Sequence, residues 1–374
     1  MQRLALLALS ALGWGAGASG DVVQTLGGRL EGKVAFAAEG LQVAGKPVAW
    51  GDVLFVIRDH DTRSIRLPQA VRLTSGEVWL AHVTSLAAGK LKARPLLFGE
   101  RELDVALVGA LDLLPDLGPP AADDKPSTLY REKGEPIPGQ LLWVDESRLA
   151  IDSPLGVLTL QREGMARYLF KPAAAMAQPA KEDELSLVDG TTLRGRARPL
   201  KDGVELDHSV LGKVSVPGRA LRAVLRHPPA AAYLAELAPA AVNATPLIAR
   251  AVPPEVLEYP TRGDAPAWPG ELMAVRAIRI QPKCAVRYRL PKLGARLALA
   301  ATLAPVEEMR GVAKVRFVAA GRSLLERDVG PASNGEAVSL ELPPDAELGI
   351  EVDFGPATLF PCAVLLGDPV VVGR

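Results

Sequence analysis

Cysteine is nearly absent from this chain. The two present, Cys284 and Cys362, exclude a disulfide-rich scaffold and a thiolate metal cage. The four histidines, His60, His82, His208 and His227, are scattered and spell no metal or catalytic motif. Aromatic residues make up 5% of the chain, too few to supply the stacking rings of an RNA- or single-strand-binding surface. Charge of one sign is missing too. With 43 basic and 43 acidic residues, no overall field draws a polyanion, so no nucleic-acid partner is expected.

Catalytic signatures are also missing. There is no nucleophile elbow, His-Glu-x-x-His, Walker loop or Cys-x-x-Cys, so no catalytic residue, cofactor or metal site is predicted and the chain reads as a non-enzyme. The stretch Arg58 to Arg63 holds Asp59, His60 and Asp61. A strand would turn both carboxylates one way and the imidazole the other, so it is read as a solvated loop. Glycoside hydrolysis needs two carboxylates held about 5–10 Å apart. The conspicuous acidic runs, Asp123-Asp124 and Glu182-Asp183-Glu184, fall in predicted linkers.

Long hydrophobic runs occur nowhere except at the start. Arg3, the apolar stretch Leu4 to Leu12 and Ala16-Gly17-Ala18 have the layout of an export signal over residues 1–18, cleaved after Ala18. Such a stretch is too short for a hydrocarbon core of about 30 Å, and no cysteine stands directly after the cleavage point to take a lipid, both lying far downstream. The expectation is an exported protein, periplasmic or extracellular, without a transmembrane segment.

What the chain has in quantity is glycine (35) and proline (32), set among short alternating runs of valine and leucine. That texture predicts many short strands. Gly134, Gly139 and Gly156 are spaced by 5 and 17 residues, and Gly190, Gly195 and Gly212 repeat both intervals. Around each set the sequence reads strand, turn, strand, Leu-Gly turn, strand, and closes on an apolar run. Weaker copies begin near Gly27-Gly28 and Gly76, with Ala81 where the second glycine would fall. Each copy buries one face only by curling into a small barrel, and glycines suit its bends.

The predicted organisation is a mainly β protein. Two degenerate small barrels cover 22–115, and further barrels cover 127–172 and 185–228. Linkers occupy 116–126 and 173–184. A helical and proline-rich linker follows at 229–264, with the helix over Ala230 to Val242. About seven short strands over 265–374 predict an antiparallel β-sandwich.

Two resemblances refine this reading. The glycine spacing and strand order over roughly 22–228 resemble the SH3-like or Sm-like small barrels found in tandem in exported bacterial proteins of planctomycete type. Tyr288-Arg289-Leu290, Phe317-Val318, Gly321 and Asp368-Pro369, over roughly 265–374, resemble the novel carbohydrate-binding module family, whose members have a galactose-binding-like jelly roll. That resemblance implies a sugar ligand on the sandwich, with Trp268 and Tyr288 as candidate ligand-binding rings. Trp50, Trp79 and Trp143 are read as core. Cys284 and Cys362, at the first and last sandwich strands, are a candidate disulfide in an oxidising compartment. Arg194, Arg196 and Arg198 alternate along one strand face and are a candidate patch for an anionic partner, with Arg219, Arg222 and Arg226 as possible extensions.

The function read from the sequence is non-catalytic binding of an extracellular or envelope carbohydrate. The alternatives are a scaffold for envelope protein assembly without sugar affinity and, behind it, a glycoside hydrolase-associated protein.

Overall fold

A computed structural model describes residues 20–58, 69–95, 97–114, 117, 120–121, 123–171, 181–245, 253–258, 274–306, 309–343, 347–355 and 362–373. The export signal, Asp59 to Arg63 and Trp268 lie outside the described residues. The regular structure described is strand and short 3₁₀ segment joined by turns and irregular loops, and no helix among these residues is long and apolar enough to cross a membrane.

The amino-terminal part holds four copies of one unit. Each opens on a strand that pairs with the unit's own last strand: Val22–Thr25 with Val53–Ile57, Ala70–Leu73 with Val108–Asp112, Thr128–Arg131 with Met165–Leu169, and Asp183–Leu187 with Leu221–Leu225. Between them the chain runs through a bent second strand and two more. In the fourth unit the bend is at Gly195, where Thr192–Leu200 leaves Asp183–Leu187 and takes up Gly203–His208. A Cβ on Gly195 would lie 2.4 Å from the Asp207 carbonyl oxygen, and one on Gly139 in the third unit 2.4 Å from that of Asp152. The repeated glycine is therefore fixed by contact with the neighbouring strand's backbone. In the second unit Ala81 takes this place, fully buried, just before a register shift in Val78–Ala87.

The units join through their last strands. Val53–Ile57 of unit 1 pairs with Leu221–Leu225 of unit 4, and Val108–Asp112 of unit 2 pairs with Met165–Leu169 of unit 3. The first pair makes an eight-stranded sheet and the second an eleven-stranded one, with the pairing of 2 and 3 nested inside that of 1 and 4. One apolar cluster runs through all four units.

The rest is the sandwich. One sheet contains Glu255–Glu258, Arg276–Ile280, Val364–Gly373, Leu297–Pro305 and Glu336–Leu342, with Ala231–Tyr233 also on Val364–Gly373. The other contains Ala241–Ala244, Cys284–Arg289, Glu347–Phe354, Ala313–Ala319 and Arg322–Val329. The predicted helix over Ala230 to Val242 is therefore corrected. Its alanines form edge strands of the sandwich with a 3₁₀ turn at Leu234–Glu236 between them, because pairing with Val370 to Val372 outweighs helix propensity. Asp183 and Glu184 are likewise strand residues rather than linker.

All five residues of Val53–Ile57 are buried, a continuous apolar run that fits a strand covered on both faces. Val53 and Val56 face the cluster of the four units. Phe55 and Ile57 meet Tyr233, Val275, Val370 and Val372 of the sandwich. Each such side chain removed from water contributes about 2 kcal/mol, so the sandwich is docked on the sheet of units 1 and 4 rather than tethered to it.

Candidate functional site

Polar groups are bonded in series across the seams. Glu77 of unit 2 is buried against unit 4, where its Oε1 accepts the Arg194 backbone N–H at 2.8 Å and faces His208 Nε2 at 2.7 Å, while Ser75 donates to its Oε2 at 2.6 Å. His208 Nδ1 accepts the N–H groups of Val210 and Leu211, so the ring proton is on Nε2 and is donated to Glu77. Burial pushes the Glu77 carboxyl up, but these bonds outweigh it and hold the group below its ordinary value.

Arg194 joins unit 4 to unit 2 by donating to the Ser75 carbonyl at 2.7 Å, and it donates twice to Glu184 Oε2, at 3.0 and 3.1 Å. The same oxygen accepts Arg276 Nη2 of the sandwich at 2.9 Å, and Arg276 Nη1 donates to Glu236 at 2.6 Å. His227 Nε2 lies 2.7 Å from that same Glu236 oxygen. For Glu236, too, burial raises the carboxyl and the bonds from His227 and Arg276 bring it below its usual value. Close by, Asp368 is fully buried at φ 41° and accepts the backbone N–H groups of Val275 and Arg276, each at 2.8 Å. Burial outweighs those bonds and carries its carboxyl up to about 7.

Beside this chain of pairs is a cleft of about 740 Å³, between unit 4, Gly51 of unit 1 and the segment leading to the sandwich. Asp183 lies at its base and is fully used: Oδ1 accepts the His227 N–H, Oδ2 accepts the Ala197 N–H, and Arg226 is 3.7 Å away. Arg226 is used in part, its buried Nε having no hydrogen-bond partner. Its guanidinium stacks on Trp50, 4.6 Å from the ring centroid, and donates to the Trp50 carbonyl. Exposed on the walls are Lys181, Arg196, Asp207 and Ser209, with Glu182 half-buried and Pro228-Pro229 at the connector side. Arg196 and Asp207 are cross-strand partners. His227 also lines the cleft; its Nδ1 is buried and has no hydrogen-bond partner.

The sequence candidates fare differently. Arg194, Arg196 and Arg198 do share a strand face, but Arg194 is tied into the seam, and Arg196 and Arg198 sit opposite Asp207 and Glu205. The row is charge-balanced, which corrects the reading of a basic patch. Of the other arginines, Arg226 is stacked on Trp50 and Arg222 is half-buried, while Arg219 is exposed. Tyr288 is 3% exposed, inside the sandwich with Cys284 and Val286 from the same strand face, and burial carries its hydroxyl to about 12. It therefore offers no ring to a ligand.

Cys284 and Cys362 are buried free thiols, which corrects the candidate disulfide. Val364–Gly373, the strand that follows Cys362, pairs with Ala231–Tyr233, Arg276–Ile280 and Leu297–Pro305, whereas the Cys284 strand lies in the other sheet, on Glu347–Phe354. Among the described residues no group of three or more His, Cys, Asp or Glu is placed to hold a metal ion. Glu77, Glu236 and Arg276 had no sequence signal, because the partners that carry them across the seams, His208 for Glu77, Arg276 for Glu236 and Glu184 for Arg276, lie 40 to 131 residues away.

No protein-family model and no curated protein matches the chain. Among solved structures it is similar to CBM51 from Clostridium perfringens GH95 in complex with methyl-galactose, at 13% identity and a TM-score of 0.31, covering 38% of this chain and 99% of that one. It is also similar to the tandem CBM51 modules of Sp3GH98, the family 98 glycoside hydrolase from Streptococcus pneumoniae SP3-BS71, at 9% identity and a TM-score of 0.31, over 58% of this chain and 63% of that one. A third is exo-beta-1,3-galactanase from Phanerochaete chrysosporium, at 12% identity and a TM-score of 0.22, over 80% of this chain and 65% of that one. At these scores the likeness assigns no ligand to this chain.

Proposed function

We propose that this chain is an exported, non-catalytic binding protein whose ligand is a carbohydrate, and that the ligand seats in the cleft beside unit 4 rather than on the sandwich. The observation that carries this reading is the division of polar groups at the cleft. Its inner charges are committed to the seams, while Lys181, Glu182, Arg196, Asp207 and Ser209 stand on the walls with donors and acceptors to spare. A sugar presents alternating donors and acceptors on a compact ring, and a rigid cleft with a few convergent polar groups suits it. Pro228-Pro229 supplies an apolar edge on which C–H faces can rest.

The test is affinity electrophoresis of the mature chain in gels containing soluble polysaccharides. Arg196→Ala and Asp207→Ala are each expected to weaken retardation about tenfold, the effect of losing one charge-assisted hydrogen bond. Retardation unchanged in both variants removes the cleft as the site. A second reading, assembly with other protein, is favoured by one observation. Gly156–Gln161 is an edge strand of the eleven-stranded sheet, with Leu155 90% and Val157 62% exposed. It predicts that Val157→Lys abolishes a higher-order species in sedimentation.

A further inference from the structure

We propose that the ligand of this cleft is neutral and rich in hydroxyls, and that the bare Nδ1 of His227 accepts one of those hydroxyls; this rests on the cleft being the binding site.

The first ground is charge. The unspent cations, Lys181 and Arg196, are matched by the unspent carboxylates of Glu182 and Asp207, and Arg196 stands directly opposite Asp207 across the strand pair. Arg226 adds nothing, because it is stacked on Trp50 and faces Asp183. An acidic ligand would gain two cations and meet two carboxylates, whereas a neutral one uses all four as donors and acceptors.

The second ground is His227. Its side chain is 9% exposed, held edge-on to Tyr233 with ring centroids 5.3 Å apart. Nε2 faces the Glu236 carboxylate, an acceptor, so the ring proton is on Nε2 and Nδ1 is a lone pair. No side chain or backbone group donates to Nδ1. Buried acceptors are seldom left unpaired, and each one so left invites an explanation. His227 lines the cleft, as does Arg226, whose buried Nε likewise lacks a hydrogen-bond partner, so the donor to Nδ1 is assigned to the cleft side. A hydroxyl supplies that proton; a carboxylate or sulfate oxygen does not.

Two replacements separate this role from a structural one. His227→Gln places an amide where Nε2 was and keeps the bond to Glu236 while losing Nδ1. His227→Asn keeps a polar atom near Nδ1 and loses the bond to Glu236. In gels containing galactan, xylan or polygalacturonate, the unmodified chain is expected to be retarded by a neutral polymer, equally at low and high salt. His227→Gln is expected to lose about tenfold in affinity and His227→Asn to stay within about threefold. In the unmodified chain, saturation with the retarding polymer's oligosaccharide should move the ¹⁵N resonance of His227 Nδ1, a readout that needs no variant.

The opposite order, Asn losing and Gln retaining, or an unmoved Nδ1 resonance, overturns the role of His227. A salt-sensitive preference for polygalacturonate overturns the neutral class. If no polymer retards the unmodified chain, the cleft reading itself fails, which is a different result from either.

Discussion

Replacing Arg276 with methionine tests whether the sandwich and the four units are one body. Arg276 is a sandwich side chain shared between Glu184 of unit 4 and Glu236 of the connector, at 2.9 and 2.6 Å, and it is 10% exposed. Breaking a buried ion pair by removing one member costs about 3–5 kcal/mol, because the other charge is stranded. Here each carboxylate retains a second donor, Arg194 at Glu184 and His227 at Glu236. The Glu236 side chain is also 23% exposed. The loss is therefore set lower, at about 2 kcal/mol. With an m-value of about 3 kcal/mol/M for a chain of this size, the urea midpoint should fall by roughly 0.7 M, followed by tryptophan fluorescence. Adding Glu184→Gln to Arg276→Met should recover about half of that, since one of the two carboxylates is then no longer charged. A midpoint within about 0.2 M of the unmodified chain in the single variant would refute the seam as a stabilising contact.

Other outcomes follow from the same geometry. Gly195→Ala drives a Cβ to 2.4 Å from a backbone oxygen and should cost about 3 kcal/mol, whereas Gly212→Ala, at φ 69° in open space, should cost about 1 kcal/mol; urea midpoints of the two separate contact from conformation. Because burial lifts Asp368 to about 7, well above its unfolded value near 3.9, its contribution is fully present below pH 4 and is lost as pH rises through 7. Asp368→Asn should flatten that part of the stability-versus-pH curve, and an unchanged slope counts against the burial. Tyr288→Ala should cost about 3–5 kcal/mol through the cavity it leaves, measured by thermal unfolding, with no direct effect on polysaccharide retardation. Alkylation in denaturant without reductant should modify both Cys284 and Cys362, and a chain that resists it carries a disulfide the fold does not place.

The repeat was legible because its cause is local. Gly139 and Gly195 sit where a neighbouring carbonyl leaves no space, so the same residue recurs at the same spacing in both units. Tyr288 was legible in principle: it alternates with Cys284 and Val286, the buried face of its strand, and parity alone turned it inward. The stretch from Ala230 to Val242 was not, because alanine-rich sequence carries helix propensity and nothing local announces a partner strand some 140 residues later. The cleft was the least legible. His227, Asp183 and Arg196 come from three different strands or turns, and the spacing of Arg194, Arg196 and Arg198 showed a shared face without the carboxylates opposite.

The nested pairing of the units bears on how the chain is made. Unit 3 follows unit 2 directly, so the inner pair completes itself as soon as Met165–Leu169 emerges. Unit 1 has no such neighbour. Its last strand, Val53–Ile57, is apolar throughout and waits for Leu221–Leu225; Arg58, just beyond it, finds Gly218 only 160 residues later. During synthesis that strand is an open apolar edge, the kind that captures a stray strand from another chain. Assembly runs from the inside outward, and a ribosome that stalls before Asp183 releases a product whose inner pair is sound and whose first unit is an aggregation seed.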